Sequence, residues 1–398
     1  MTKNKTIIGL ATAAAVFSVA VPALAEDVKL GILADLTGPI ESLAPPIVAG
    51  AQLAFDHVND QGGILDGGQI VSVTGDSACD PSVAGPAADK LVNTDQVTAI
   101  MGAFCTGATI GAATAAGIPG NVVMISPSAS APAVTTVEDN DLLFRTTPSD
   151  AFQGVKLADL LSQKGITDVA LTYVNNDYGK GLADVFAERF AENGGTVTAN
   201  VAHEDGKADY RAELGQLAAA GSQNLVVLAY ISGSGLTILQ QANESGNFTT
   251  YIGGDGMIGD AISGANIDNF IATRAGAYEG ASADAYVSLA TDAGNDPAAT
   301  YAPQAYDAGF LLALAVEKNG STDREGLSAA LREVASAPGE KILPGEWEKA
   351  KELIAAGTDI DYEGAGGPLD FDEAGDVDGI IVEVDYKDGA FTEVGPVQ

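Results

Sequence analysis

Residues 28–63 read VKLGILADLTGPIESLAPPIVAGAQLAFDHVNDQGG, and this stretch decides the fold class. The run 28–33 is apolar and β-branched, which predicts a buried strand that ends at the turn Thr37-Gly38-Pro39. A helix is predicted next, because apolar residues recur at helical spacing until Gly62-Gly63 stops it. The apolar positions of that helix are Val48, Ala51, Phe55 and Val58.

The same alternation of strand and helix continues to about residue 125 and starts again near residue 148. Such alternation predicts parallel sheets that are covered by helices on both faces, and 398 residues suit two domains of this kind. We therefore predict an α/β protein with two lobes. Further strands are predicted at 70–73, 97–101, 121–125, 168–174, 196–201 and 224–229, and a short one is predicted to end at Ile252. Helices are predicted from Pro81 and at 181–192, 210–219, 236–243, 302–317 and 324–334. The tail 367–398 is predicted to form short strands around turns at 374–376 and 387–389.

The charge balance narrows the classes of partner. The chain has 54 acidic and 19 basic residues and a formal net charge of −35. Nucleic acid is excluded as a partner, because phosphate binding needs a dense Lys/Arg surface. With 46% hydrophobic and only 18% charged residues, the chain can still bury sizeable cores.

The first 25 residues have the pattern of a secretory signal peptide. Lys3 and Lys5 precede an apolar stretch from Ile7 to Val21, and Ala23-Leu24-Ala25 fits a small-x-small cleavage site. We expect cleavage after Ala25 and a soluble, exported protein. In an oxidising compartment Cys79 and Cys105 are expected to form a disulfide, the alternative being two free buried thiols.

Catalytic and metal signals are weak. His57 lies mid-helix and is interpreted as structural or solvated, and His203 at a strand end is expected in a solvated loop. Residues 254–259 match G-x-G-x-x-G by letter but lie too late in the chain for a dinucleotide site, so we predict no cofactor. The segment 370–375 resembles the start of a calcium loop, but Ile381 stands where a glutamate ligand is needed, so we predict no metal. Because the chain has only two histidines and neither a G-x-S-x-G nor an HExxH motif, we also predict that it is not an enzyme.

Several motifs resemble the branched-chain amino-acid binding proteins, the periplasmic Leu/Ile/Val-type solute receptors of ABC importers. The most specific are DSACDP at 76–81, GAFCT at 102–106 and MISPSASAP at 124–132. The resemblance covers nearly the whole chain after the signal peptide. Further matching segments are Thr37-Gly38-Pro39, Asn59 to Ile64, Phe144 to Asp150, Asn176 to Gly179 and Gly253 to Gly256.

This resemblance implies a type I periplasmic binding protein fold, with two Rossmann-like lobes of parallel sheets joined by a three-crossing hinge. The crossings are expected near Arg145-Thr146, near Ala275-Gly276 and around Gly375. Lobe 1 is then expected to comprise 26–146 and 276–375, and lobe 2 to comprise 147–275 and 376–398.

The resemblance also implies a ligand site. Thr106 and Ser130 look like the residues whose hydroxyl and backbone N–H groups hold a ligand carboxylate, since both lie near helix starts. Ser128 would offer its carbonyl, and Asp255 its carboxylate, to the ligand ammonium. Tyr178 looks like an aromatic wall. For Ser128, Ser130, Asp255 and Tyr178 the alternative is a purely local structural role.

Three more residues belong to the expected site. Tyr230 follows a predicted strand and is either a second wall residue or a packing residue. Leu43 replaces an aromatic pocket residue of the family, and Cys105 adjoins Thr106. Asp255 also stands where the family often has a longer glutamate. Given these departures from the family, the prediction that the ligand has an amino-acid head group is better supported than any prediction of its side chain.

The sequence therefore predicts an exported receptor that binds a small zwitterionic amino acid, branched-chain or otherwise apolar, between its lobes. It is expected to be a monomer and to deliver the ligand to an inner-membrane ABC permease. One alternative is a receptor of the same class for an amide or an aromatic acid. The other is an exported α/β enzyme, which the lack of a positioned histidine or metal set disfavours.

Overall fold

The computed structural model describes residues 2, 26–267 and 269–398, and these residues form two lobes, each built on one sheet. The predicted signal peptide, 1–25, and its cleavage site lie outside the described residues except for Thr2. None of the helices in the described ranges combines the length and apolar character needed to span a bilayer. The predicted α/β fold class is confirmed.

The first sheet has five parallel strands in the order β2-β1-β3-β4-β5. The strand predicted over 121–125 begins only at Met124, because Asn121 adopts a positive φ of 53° in a turn. The elements of this half are β1 (Val28–Ala34), α1 (Ala44–Asp60), β2 (Ile70–Asp76), α2 (Pro81–Asp89), β3 (Ala99–Gly102), α3 (Thr106–Ala112), β4 (Met124–Ser126), α4 (Pro132–Thr135) and β5 (Leu143–Arg145).

The second sheet has seven strands in the order β14-β13-β10-β9-β8-β6-β7. The strands β7, β6, β8, β9 and β10 are parallel, whereas β13 and β14 form an antiparallel hairpin at one edge. The elements are α5 (Asp150–Gln163), β6 (Asp168–Val174), α6 (Asp177–Glu192), β7 (Thr196–His203), α7 (Arg211–Ala219), β8 (Asn224–Leu228), α8 (Leu236–Ser245), β9 (Thr250–Gly253), β10 (Phe270–Ala275), β13 (Ile381–Lys387) and β14 (Ala390–Pro396).

A group of later helices returns to the first sheet. Helix α10 is buried all round over 302–316, because it packs between α1 and the strands β3 and β4. The elements of this segment are α9 (Ala281–Asp292), α10 (Ala302–Asn319), α11 (Leu327–Ala335), β11 (Glu340–Ile342), α12 (Trp347–Ala355) and β12 (Ile360–Tyr362).

The tail differs in part from its prediction. The turn at 387–389 does join two strands, β13 and β14, but the turn at 374–376 joins none in the described chain. The segment around it is instead fixed by side chains, because the Asp372 carboxylate accepts hydrogen bonds from the N–H groups of Ala374 and Asp376.

The two histidines have different surroundings. His57 is half-buried, with Nδ1 2.9 Å from the hydroxyl of Tyr306, which fits a structural role. The expected solvated position of His203 is wrong. Its side chain is buried between Thr172 Oγ1, 2.8 Å from Nδ1, and Ser234 Oγ, 2.9 Å from Nε2.

Of the three segments expected to cross between the lobes, those at Arg145 and Gly375 lie side by side, and the one at Gly276 lies beside Ile380. The N–H of Arg145 donates to the carbonyl of Gly375 at 3.0 Å, and that of Gly276 donates to the carbonyl of Ile380 at 2.9 Å. The fully buried guanidinium of Arg145 binds both carboxylate oxygens of Asp376, through Nε at 2.7 Å and Nη2 at 2.6 Å. This bidentate ion pair joins the end of β5 to the segment that leads to β13.

Candidate functional site

A cavity lies between the two lobes, where parallel strands of both sheets end. Its empty space, counted together with the part that is open to solvent, is about 340 Å³. Ligands of open α/β sheets bind beyond the carboxyl ends of the strands, so this is the position expected for a binding site. Seven of the eight predicted site residues line the cavity, and they are Leu43, Cys105, Thr106, Ser128, Tyr178, Tyr230 and Asp255.

The wall from lobe 1 is made of loops that serine side chains join to one another. Ser126 Oγ donates to the carbonyl of Ala103 at 2.5 Å, and Ser128 Oγ donates to the carbonyl of Phe104 at 3.0 Å. The loops after β3 and β4 are thereby held together. Thr106 begins α3, and its hydroxyl oxygen accepts the N–H of Ala131 at 3.4 Å, which leaves the hydroxyl proton free to donate.

A buried carboxylate that the sequence analysis missed supports this wall. Asp35, just after β1, is fully buried and accepts the N–H groups of Cys79 at 2.6 Å, Phe104 at 2.8 Å and Cys105 at 3.2 Å. The hydroxyl of Ser77 donates to it as well. Burial raises the pKa of the Asp35 carboxyl, and these hydrogen bonds oppose the rise.

The predicted disulfide between Cys79 and Cys105 is confirmed, with the two Cα atoms 5.3 Å apart. It links the same two loops that Asp35 holds. Asp35 and the two cysteines form a group of metal-ligating residue types within the described chain. The disulfide occupies both sulfurs and the N–H donors occupy the carboxylate, so this group is explained without a metal.

Asp255, just after β9, provides the polar end of the cavity. Its Oδ1 accepts hydrogen bonds from Gln153 Nε2 at 2.8 Å and from the Tyr178 hydroxyl at 3.1 Å, and its Oδ2 accepts one from the Tyr301 hydroxyl at 2.5 Å. Burial raises the pKa of Asp255, and the three donors oppose that rise. A carboxylate has about four acceptor positions, so one position remains for a further donor.

Two stacked tyrosines form the aromatic wall from lobe 2. The rings of Tyr178 and Tyr230 lie 5.0 Å apart between centroids at an interplanar angle of 17°. Both rings are buried, and burial holds the pKa of each phenol well above its usual range, so both are neutral. Tyr178 thus lines the cavity and also donates to Asp255.

Ser130 is the predicted site residue that does not line the cavity. Its hydroxyl donates to Asp150 Oδ2 at 3.0 Å. Its carbonyl accepts Arg145 Nη1 at 2.8 Å and the N–H of Asp150 at 2.7 Å. The Ser130 hydroxyl therefore already donates its proton to the buried carboxylate of Asp150.

The sequence analysis missed five residues that line the cavity. Ile40 lies in the loop before α1, and Ile47 belongs to the first turn of that helix. Tyr301 lies immediately before α10. The helix predicted from residue 302 therefore indicated where Tyr301 lies along the chain, but nothing in the sequence indicated that this residue lines the cavity. The five missed residues are Ile40, Ile47, Phe104, Gly256 and Tyr301.

The lobes also touch at the edge of the cavity. Ser42 Oγ, in the loop before α1, lies 2.6 Å from Ser232 Oγ in the loop after β8. Gly233 lies against Pro39 of the opposite lobe, where an added Cβ would come within 2.7 Å of the Pro39 side chain. The two loops therefore meet in the structure as it stands.

Comparison with known proteins places these features in a family. The profile of the family described as periplasmic binding protein matches residues 27–379. The Leu/Ile/Val-binding protein BraC3 of Rhizobium johnstonii is 32% identical over 353 residues, which is 84% of this chain and 92% of that protein. The leucine-, isoleucine-, valine-, threonine- and alanine-binding protein of Pseudomonas aeruginosa is 30% identical over 313 residues, which is 77% of this chain and 83% of that protein.

Among solved structures, the branched-chain amino acid transporter substrate binding protein LivJ of Streptococcus pneumoniae, in complex with isoleucine, superimposes with a TM-score of 0.77. It is 26% identical in sequence, and the match covers 93% of this chain and all of that one. The resemblance predicted from the motifs is thereby confirmed.

Proposed function

Because this chain belongs to the periplasmic binding protein family, we propose that it is an extracytoplasmic receptor that binds an α-amino acid with a small apolar side chain in the interlobe cavity. The observation that carries the proposal is the contrast within the cavity. The cavity has a buried carboxylate with an acceptor position to spare, and the rest of its lining includes the apolar residues Ile40, Leu43, Ile47 and Phe104.

The head group is placed by its two charges. The ligand's ammonium donates to Asp255 and to the carbonyl of Ser128, and its carboxylate accepts from the hydroxyl and N–H of Thr106. The buried position strengthens both interactions, since little water competes for the charges. Ser130 supports the site through Asp150 rather than touching the carboxylate.

The side chain of the ligand lies against the apolar part of the lining. Leu43 and Ile47 provide aliphatic contact there, which suits leucine, isoleucine or valine. Tyr178 and Tyr230 cover the opposite side, and burying the ligand's apolar surface there contributes roughly 25 cal/mol per Å².

Binding is coupled to closure of two lobes, 26–146 with 276–375 and 147–275 with 376–398, about the paired crossing segments. The signal peptide is removed after Ala25, and the receptor works in the periplasm. It acts there as a monomer. It passes its amino acid to an inner-membrane ABC permease and carries out no reaction itself.

A thermal unfolding screen tests the proposal. Refolded, ligand-stripped protein is heated with each of the twenty amino acids, and with amides and small aromatic acids. A ligand at 100 times its Kd adds about 2.7 kcal/mol to the free energy of unfolding, which raises Tm by a few degrees. A rise with apolar α-amino acids supports the proposal, whereas a rise confined to amides or carboxylates contradicts it.

Asp255→Asn tests the head-group assignment. We expect it to weaken leucine binding by about 1–3 kcal/mol in titration calorimetry, because the ammonium loses its charged acceptor. Asp260→Asn, at an exposed position five residues away, is the matched control and is expected to leave Kd unchanged. An unchanged Kd in Asp255→Asn would remove Asp255 from the site.

A second candidate is a ligand without an ammonium, such as an amide or an aromatic acid. The observation in its favour is that Gln153, Tyr178 and Tyr301 already supply three donors to Asp255. The carboxylate is then largely satisfied before any ligand enters. The same thermal screen distinguishes the two candidates.

A further inference from the structure

A second buried carboxylate, Asp150, lies behind the ligand site. It is the first residue of α5 and is fully buried. Its Oδ2 accepts the Ser130 hydroxyl, but its Oδ1 is buried without a hydrogen-bond partner in the described chain. A buried carboxylate oxygen without a partner is costly when the group is ionised.

Asp150 lies near Asp255, because Gln153, one turn after Asp150 on the same helix, donates to Asp255 Oδ1 at 2.8 Å. Burial first, and then the charge of Asp255, hold the pKa of the Asp150 carboxyl well above its usual range. Asp255 is better satisfied, since three donors point at it. Of the two groups, Asp255 is therefore the better placed to carry the negative charge, and Asp150 to carry a proton.

The groups facing this pair supply no free positive charge. Arg145 is the cation that acts on Asp150, but its guanidinium is already bound to Asp376 and to backbone carbonyls. The other facing groups are neutral, because burial keeps the pKa of each phenol well above its usual range. They are the hydroxyls of Ser130, Tyr178, Tyr230 and Tyr301 and the amide of Gln153.

We propose that Asp150 and Asp255 hold one proton between them in the ligand-free receptor, and that the ammonium of an incoming ligand replaces this proton. This inference rests on the proposed function. In the step, the ligand enters as R–NH₃⁺, the proton leaves Asp150 for solvent, and both carboxylates are ionised in the complex. Charge is conserved overall, because the ligand enters as a neutral zwitterion and the released proton carries the positive charge that matches the newly ionised carboxylate of Asp150.

The exchange gives Asp150 a role in specificity without contact with the ligand. The ammonium of an amino-acid ligand offsets the negative charge of the pair, so the ionisation of Asp150 becomes favourable in the complex. An amide or an aromatic acid brings no positive charge, so the proton stays in place. Asp150 is thus a positioning residue that sets the charge the ligand must carry.

Titration calorimetry of the full mature protein with L-leucine tests the proposal. The binding enthalpy is measured in two buffers of different ionisation enthalpy at each pH from 5 to 8, which counts the protons released. We expect a release that approaches one proton at the acidic end, with affinity rising by up to about tenfold per pH unit there. Leucine binding with no proton release anywhere in this range would overturn the proposal.

Three variants identify the source of the proton. Asp150→Asn is expected to abolish the release and to make Kd nearly independent of pH. Asp177→Asn, which changes the exposed acidic residue at the same position of helix α6, is the matched control and is expected to keep the release. Ser130→Ala removes the hydroxyl that is the single donor to Asp150 among the described residues, and it is expected to move the release to higher pH.

The outcomes separate this inference from the proposed function. If Asp150→Asn still releases the proton, another group holds it and the inference is wrong. If Asp150→Asn does not fold, the shift in Ser130→Ala decides alone, and an unchanged pH profile overturns the inference. If no α-amino acid binds the wild-type protein, the proposed function itself fails.

Discussion

The two walls of the cleft are built in different ways. On the lobe 1 side, the loops after β1, β2, β3 and β4 are joined by Asp35, by serine hydroxyls bonded to carbonyls and by the disulfide. On the lobe 2 side, Tyr178 and Asp255 carry the polar groups on side chains that bond to other side chains. The first wall offers a fixed backbone, and the second offers charge and aromatic surface.

This difference implies that one wall chiefly supports stability and the other chiefly determines ligand affinity. Changes beneath the lobe 1 wall should chiefly reduce stability, because they leave buried backbone groups unpaired. Changes on the lobe 2 wall should chiefly alter ligand affinity, because their partners there are single side chains. The predictions that follow test this division, starting with the largest expected effect.

Asp35→Ala is expected to lower the free energy of unfolding by about 3–5 kcal/mol, because several buried donors lose their acceptor at about 1–3 kcal/mol each. Urea denaturation followed by circular dichroism measures the loss. The control is Asp66→Ala, an exposed aspartate of the same lobe, which is expected to change stability by less than about 0.5 kcal/mol. A stable Asp35→Ala protein would show that the lobe 1 wall does not depend on this carboxylate.

Asp35 also marks a limit of prediction from sequence. The strand over 168–174 was predicted with its observed bounds, because apolar periodicity is a local signal. Asp35 has no such signal, since a single aspartate after a strand usually lies in solvent. Its donors come from residues 77–105, and only the folded sheet brings them to it.

The same reasoning explains which site residues were predicted. Those of the loops after β3, β4 and β9 lie in motifs that resemble a family, so the resemblance supplied their roles. Tyr301 and Ile47 lie outside those motifs, and their orientation depends on how α10 and α1 pack. His203 was placed wrongly because Glu204-Asp205 suggested solvent, whereas the loop at 231–235 covers the end of β7.

His203 gives a pH test of the lobe 2 side. Burial lowers its pKa to about 4, below the value of about 6.5 in the unfolded chain. The unfolded chain therefore takes up the proton first, so the neutral histidine's contribution is complete above pH 6.5 and is lost as the pH falls toward 4. The loss amounts to about 2–3 kcal/mol.

Chemical denaturation of wild-type protein and of His203→Gln from pH 7.5 to 4 measures this contribution. The difference in unfolding free energy between the two proteins is expected to shrink as the pH falls through that window. His57→Gln, at the half-buried histidine of lobe 1, serves as the control and is expected to change the profile less. A constant difference for His203→Gln would mean that His203 does not titrate in this range.

The smallest effect is expected where the two walls meet. Ser42→Ala removes the hydroxyl that lies 2.6 Å from Ser232 across the cleft. In the proposed closure of the lobes this contact forms in the closed state, so its loss should destabilise that state by about 0.5–1 kcal/mol, a net value for one neutral hydrogen bond. Kd for leucine should then rise about two- to fivefold, with the increase in the dissociation rate rather than in the association rate. Stopped-flow fluorescence measures both rates.

Ser263→Ala, whose hydroxyl bonds only to a carbonyl three residues away, should leave both rates unchanged. Faster association in Ser42→Ala would instead mean that the contact restricts entry, and that the lobe 2 loop moves before the ligand binds.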